Sequence, residues 1–163
     1  MMEQNNTPYA TKLKELSELE NFIGKELGLT EWMTIEQERI NSFAASTEDT
    51  QWIHTDPERS AAFSPYKKTV AHGFLVLSLA SKISYDAFSI ENVVMGVNYG
   101  LDKVRFPNAT KSGAKLRGRV SLMEYDAIPG GAKYKVKIVF ELEGEEKPAC
   151  VAEFIAMAYT MPA

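Results

Sequence analysis

The sequence predicts an α+β domain in which one very hydrophobic helix precedes an antiparallel meander. The first observation is the run that follows Gly73, FLVLSLASKISYDAF, which is apolar nearly all round, as a helix buried in a core is. The second is a change of period beyond Ser89: Val93, Met95, Val97 and Tyr99 alternate, as do Leu116, Val120 and Leu122, and Tyr134, Val136, Ile138, Phe140 and Leu142. The third is turn chemistry. Pro129-Gly130-Gly131 and Glu143-Gly144-Glu145 separate consecutive runs, so neighbouring strands pair antiparallel and the sheet wraps the helix.

In chain order, residues 1–8 are polar. From Tyr9 to Leu27 the apolar positions Leu13, Leu16, Leu19, Phe22, Ile23 and Leu27 recur at three- and four-residue steps, one face of an amphipathic helix that Gly28 stops. Residues 1–28 therefore read as a polar tail and a helical extension. Leu29 to Ile35 is short and extended, and a second helix from Glu36 to Ala45 turns Ile40, Phe43 and Ala44 inward. Thr47 to Thr55 breaks the helical pattern. Asp56-Pro57-Glu58 starts a helix, with an N-cap Asp, Pro at the first position and an acid in the first turn. Ser64 to Lys68 reads as loop. The last segment, Ala149 to Tyr159, is apolar on both faces. Residues 1–163 form a single domain without repeats or linkers.

Composition narrows the function. A core of this size buries about 70% of the surface of the unfolded chain, so neither a disulfide nor a structural metal is required. The 18 Lys and Arg stand against 22 Asp and Glu with no basic cluster, which argues against a nucleic-acid partner. The single Cys fits a reducing, cytoplasmic setting and leaves no zinc or iron–sulfur cluster. The longest apolar stretch falls far short of the roughly 20 residues a membrane helix requires, and the N-terminus has no signal-peptide pattern. Lys103, Arg105, Lys111, Lys115 and Arg117 read as a solvated face, and Cys150 as a packing residue.

Chemistry concentrates at two places. In Thr47-Glu48-Asp49-Thr50-Gln51-Trp52-Ile53-His54, a continuous helix would set Asp49 and His54 about 140° apart, whereas a loop lets an acid and an imidazole converge on one water as general acid and base. The competing reading is a turn-capping Asp49 and a half-buried polar His54. In Ala71-His72-Gly73-Phe74, the free N–H groups at the start of the buried helix stabilise negative charge, and Gly73, lacking a Cβ, lets a substrate carbonyl approach the backbone. Equally, Gly73 serves tight packing. Ser81 lies about 80° around that helix from Gly73, with Ser78 as a competing hydroxyl. No P-loop, dinucleotide fingerprint or nucleophile elbow is present.

These segments resemble a known family. Gly24-Lys25-Glu26-Leu27-Gly28, Gln37-Glu38-Arg39-Ile40, Asp49 through Ser60, Ala71 through Leu75, and Asn98 through Pro107 look like the nodulation protein N-like branch of the MaoC-like dehydratases. The similarity spans about residues 13–159. It implies a hot dog fold, a long central helix wrapped by an antiparallel sheet and usually dimerised. It also implies (R)-specific hydration of a 2-enoyl thioester, with coenzyme A or acyl carrier protein as part of the substrate and no metal or redox cofactor. In the family an acid and a His five residues later form the hydratase motif, which carries over onto Asp49 and His54. Gly73 then supplies an N–H to the thioester oxygen and Ser81 supports the site, with His72 and Gln51 beside them as substrate-binding candidates. The family motif has Asn and Pro where this chain has Gln51 and Trp52. A hot dog thioesterase and a non-catalytic acyl-thioester binding protein are the alternatives.

Overall fold

A computed structural model describes residues 6–161. Its core is an eight-stranded sheet in the order β4-β1-β2-β6-β7-β8-β5, with the short β3 also paired to β6. The strands are β1 (Tyr9–Leu13), β2 (Glu26–Leu29), β3 (Met33–Thr34), β4 (Phe88–Ile90), β5 (Val93–Arg105), β6 (Lys115–Ile128), β7 (Gly131–Leu142) and β8 (Cys150–Thr160). The helices are α1 (Gln37–Thr47), α2 (Trp52–Thr55), α3 (Pro57–Phe63), α4 (Gly73–Ser78) and α5 (Ala80–Ala87). The expected meander is present: β6, β7 and β8 pair antiparallel in sequence, and β8 continues into β5. Gly130 and Gly144 take the left-handed backbone, with φ of 76° and 78°, at the predicted turns. The predicted cap also holds, since the Asp56 carboxylate accepts the Arg59 N–H at 2.9 Å at the start of α3.

The N-terminal reading is corrected. Where the apolar spacing predicts a helix from Tyr9 to Leu27, the chain forms β1, a 3₁₀ helix (Leu16–Phe22) and β2. Residues 1–5 lie outside the described residues. The same three-residue spacing serves both structures, because 3₁₀ geometry eclipses positions three apart and buries Leu16 and Leu19 together. What selects the strands is distant in sequence. β1 pairs parallel with β4 and antiparallel with β2, and Asn92 Oδ1 accepts the Leu16 N–H at 2.9 Å where the 3₁₀ turn begins. Gly24, at φ 77°, then reverses the chain into β2.

The central helix differs in two respects from an unbroken, fully buried rod. It is interrupted at Leu79, whose ψ is −6°. The Ser78 hydroxyl donates to the Leu75 carbonyl at 2.7 Å, the kind of back-bonding that bends helices. It also keeps one face uncovered, with Phe74 72% and Tyr85 78% exposed. The opposite face carries Leu75, Val76, Ala80 and Ile83 into the core against Leu116, Val120, Ile138 and Phe140. The helix comes close enough that a Cβ on Gly28 would lie 2.2 Å from the Ala87 carbonyl oxygen, and one on Gly118 2.2 Å from Ile83.

Arg117 belongs to no solvated face. Its guanidinium is buried, donates to Glu141 at 2.7 Å and lies 4.4 Å over the Trp32 ring. Arg119 shares Glu141 at 2.8 Å and pairs with Glu26 at 3.0 Å. Cys150 packs as expected, its thiol pushed up to about 12 by burial. Among the described residues, no helix is long and apolar enough to cross a membrane.

The Gly28 contact meets backbone, which cannot rotate away. We expect Gly28→Ala to destabilise the fold by about 1–3 kcal/mol, the usual range for an overpacked core, measured by urea unfolding. An unchanged midpoint would show that the helix shifts freely on the sheet.

Candidate functional site

Five residues carry the chain from Asp49 to His54, and the segment is part loop and part helix. Glu48, at φ 61°, ends α1. Residues 49–51 are irregular, and His54 then sits on the single turn of α2. That turn is fixed by an extended stretch before α4. Val70 N–H donates to the Ile53 carbonyl at 3.0 Å, and His54 Nδ1 lies 2.6 Å from the Val70 carbonyl oxygen. Gln37, at the start of α1, donates to the His54 carbonyl at 2.7 Å and accepts a hydrogen bond from the Thr69 hydroxyl.

A carbonyl only accepts, so the bond to Val70 places the His54 proton on Nδ1 and leaves Nε2 with a free lone pair. Burial, only partly offset by the Val70 hydrogen bond, holds the His54 pKa below its usual value, and the neighbouring His72 lowers it further. His54 is therefore neutral at neutral pH and able to accept a proton. By the same logic His72 donates from Nε2 to the Asp49 carbonyl at 3.0 Å. Its Nδ1, in a ring only 3% exposed, has no partner among the described residues. The two imidazoles stack with centroids 3.7 Å apart and planes 24° apart, and Phe43 sits 5.0 Å from the His72 ring.

Asp49, His54 and His72 bring one potential ligand atom each within 4.8 Å of one another. As a metal chelate the set is poorly arranged. Lone pairs lie in the ring planes, and two planes only 24° apart with ring centroids separated by 3.7 Å do not meet close to both rings, so the two imidazoles cannot share one ion at the roughly 2.0–2.1 Å of a Zn–N bond. As a water site it fits, because a span of this size is one that a single water bridges with two ordinary hydrogen bonds.

His54 and Gly73 line one cavity of about 370 Å³, with Val70, Ala71, Phe106 and Thr110 on its wall. A Cβ on Gly73 would stand 3.2 Å from the Phe106 ring, so the glycine keeps this corner open. The structure thus brings Asp49, His54, His72 and Gly73 together. Gln51 stands exposed at the N-cap position of α2, with its backbone N–H 3.5 Å from Asp49 Oδ1. Ser81 lies apart, on a separate cavity of about 130 Å³ with Asn98 and Tyr134, where it accepts from Asn98 Nδ2 at 3.4 Å. Ser78 is occupied by the Leu75 carbonyl. Sequence reasoning gave no site role to the Val70 carbonyl, Gln37 or Thr110. The first carries no side-chain signal at all. The other two are ordinary polar residues until the fold places them.

Residues 18–141 match the family model of the MaoC like domain. The chain is 41% identical over 143 residues to 3-hydroxyacyl-thioester dehydratase Z of Mycobacterium tuberculosis, covering 87% of this chain and 94% of that protein. It is 42% identical over 146 residues to Nodulation protein N of Rhizobium leguminosarum bv. viciae, covering 87% and 89%. Among solved structures, an R-hydratase from Pseudomonas aeruginosa superposes with a TM-score of 0.66 at 19% identity, covering 85% of this chain and 83% of that one. At that identity the likeness speaks for the fold alone, and the fold is the hot dog arrangement.

The depressed His54 pKa carries a sign. An unfolded His takes up its proton near pH 6.5, whereas folded His54 resists it, so below that pH the unfolded state binds more protons and stability falls as pH falls. Thermal unfolding between pH 7.5 and 5.5 should show a declining midpoint and a shallower decline for His54→Gln. Identical slopes for the two proteins would place the His54 titration elsewhere.

Proposed function

Since the chain belongs to the MaoC-like domain family, we propose that it adds water reversibly to a trans-2-enoyl thioester, giving an (R)-3-hydroxyacyl thioester. Coenzyme A or acyl carrier protein carries the acyl group. The supporting observation is the setting of His54: Nδ1 is held by the Val70 carbonyl, a ring nitrogen lies within 4.8 Å of an Asp49 carboxylate oxygen, and the residue lines a cavity together with Gly73. The relative named as a dehydratase of 3-hydroxyacyl thioesters is named for the reverse of the same reaction.

In the hydration direction, Asp49 and His54 Nε2 hold one water between them. The water oxygen bonds to Cβ while one of its protons passes to the pair. The Cα=Cβ electron pair moves toward the carbonyl, and an enolate-like oxygen develops that the Gly73 N–H meets. Cα then takes a proton back from the pair and the thioester is restored. Every proton is accounted for by the water and the two side chains, so the scheme draws on no metal or redox cofactor. His72 acts through His54, stacking on its ring and holding the Asp49 main chain.

We infer that the working unit is a homodimer in the cytoplasm. β5 ends the sheet, its outer edge unpaired among the described residues, and exposes Val94, Met95, Val97, Tyr99 and Leu101, with Phe74 and Tyr85 exposed on the helix. An open edge strand bearing apolar side chains is a template for pairing with another chain, and a second copy is self-complementary about a two-fold axis. The buried thiol of Cys150 suits a reducing compartment.

Asp49→Asn and His54→Ala should each lower crotonyl-CoA hydration by about 10²–10⁴-fold, the usual worth of general acid–base catalysis, with unchanged circular dichroism. Full activity in either variant would move the site, and release of free thiol would turn the reading to a thioesterase. Light scattering at micromolar concentration should report twice the 18.2 kDa chain mass, and Val97→Arg on β5 should shift it to monomer.

A further inference from the structure

Thr110 is a buried polar residue of the cavity to which the hydration scheme gives no role. It lies between β5 and β6, only 2% exposed, on the wall that also carries His54, Val70, Ala71 and Gly73. Its carbonyl accepts the Ala71 N–H at 2.7 Å, and the adjacent Lys111 bridges Val70 antiparallel. Facing residues of an antiparallel pair share a side, so this pairing holds the Thr110 side chain next to Ala71, directly before the His72-Gly73 pair. Yet the Thr110 hydroxyl has no hydrogen-bond partner among the described residues. A buried hydroxyl left unpaired is disfavoured by its full desolvation. Valine has the same shape without that penalty, so packing alone gives no reason for a threonine here.

The remaining question is what the hydroxyl meets. The attacking water already has its acceptors in Asp49 and His54 Nε2. The thioester carbonyl oxygen, by contrast, only accepts, and it gains negative charge as the bond to Cβ forms. Side-chain donors on this wall are few. Tyr66 is 40% exposed, and the Asn108 amide already donates to Glu145 and to the Lys147 carbonyl, both at 3.3 Å. The buried, unengaged donor is Thr110.

Resting on the hydration reading, we propose that the Thr110 hydroxyl donates a hydrogen bond to the thioester carbonyl oxygen and holds it through the enolate-like state. The water oxygen bonds to Cβ and its proton goes to the Asp49–His54 pair. The Cα=Cβ pair shifts to Cα–C1, and the carbonyl π pair moves onto the oxygen facing Thr110. As Cα takes its proton the electrons return and the carbonyl re-forms. Thr110 keeps its own proton throughout. The hydrogen bond strengthens as charge builds, so it acts on kcat more than on KM.

The test compares Thr110→Val, Thr110→Ser and Thr110→Ala in crotonyl-CoA hydration, with melting curves for each. Removal of one oxyanion donor costs on the order of 10²–10³ in kcat where measured. Here the Val and Ala variants should lose about tenfold or more in kcat with little change in KM, while Ser retains most of it. The Val variant should melt no lower than the parent, because an unpaired buried hydroxyl has been removed. Ser and Ala differ by the hydroxyl alone, so this pair decides the matter even if Val disturbs the fold. Equal kcat for Ser and Ala in an active enzyme overturns the Thr110 assignment and leaves hydration standing. A parent protein inert on crotonyl-CoA and on longer enoyl thioesters overturns the hydration reading and this inference with it.

Discussion

The site depends on a short extended stretch, Thr69 to His72, whose polar groups are tied to three parts of the chain. Thr69 bonds Gln37 on α1 through its hydroxyl and receives the Ser112 N–H on its carbonyl at 2.9 Å. Val70 donates to Ile53 and takes the His54 ring on its carbonyl. Ala71 donates to Thr110. Buried backbone groups must find partners, and here the partners are the catalytic candidates and their supports. One stretch thus sets the His54 tautomer, the approach to Gly73 at the start of α4, and the wall that carries Thr110.

A second constraint is the close seat of the central helix on the sheet. Contact at Gly28 and Gly118 brings α5 down far enough to bury Ile83 and Ala87 completely. The helix then has a sealed face and an open one. The open face, with Phe74 and Tyr85, is exposed together with the apolar edge strand β5. The packing that completes the core thereby leaves an apolar surface beside the end strand of the sheet. On β6 the solution is different. Side chains on either face of that strand are buried, the charged ones Arg117 and Arg119 by sharing the Glu141 carboxylate, because a buried charge without a partner is strongly unfavourable.

The chemistry follows from keeping an imidazole neutral. Desolvation disfavours the charged form, and a second imidazole stacked at 3.7 Å makes protonation of both rings costlier still. The hydrogen bond to Val70 works in the opposite direction on the pKa, yet it is what fixes which nitrogen is free. Orientation and basicity are therefore set by different neighbours. The side chains of Gln51 and Trp52 take no part in these bonds: the His54 N–H donates to the Gln51 main-chain carbonyl at 2.9 Å, and Val70 and Gln37 hold the ring and the carbonyl.

The sequence by itself determined the meander, its turns, the α3 cap at Asp56, and the two segments in which Asp49, His54, His72 and Gly73 lie. Alternation, left-handed glycines and N-caps are local properties, written in neighbouring residues. Tertiary structure decided the rest. The Leu13–Leu27 spacing fitted a helix as well as the observed strand, 3₁₀ turn and strand, and pairing with β4 and the Asn92 bond settled it. The same spacing rules placed Ser81 on the helix of Gly73, but the fold set it on a different cavity. Arg117 became buried through Glu141 and Trp32, and Thr110, its hydroxyl unpaired among the described residues, came onto the wall of the cavity lined by His54 and Gly73. In each case the deciding partner is remote along the chain, and burial and hydrogen-bond satisfaction come into being only when remote segments meet.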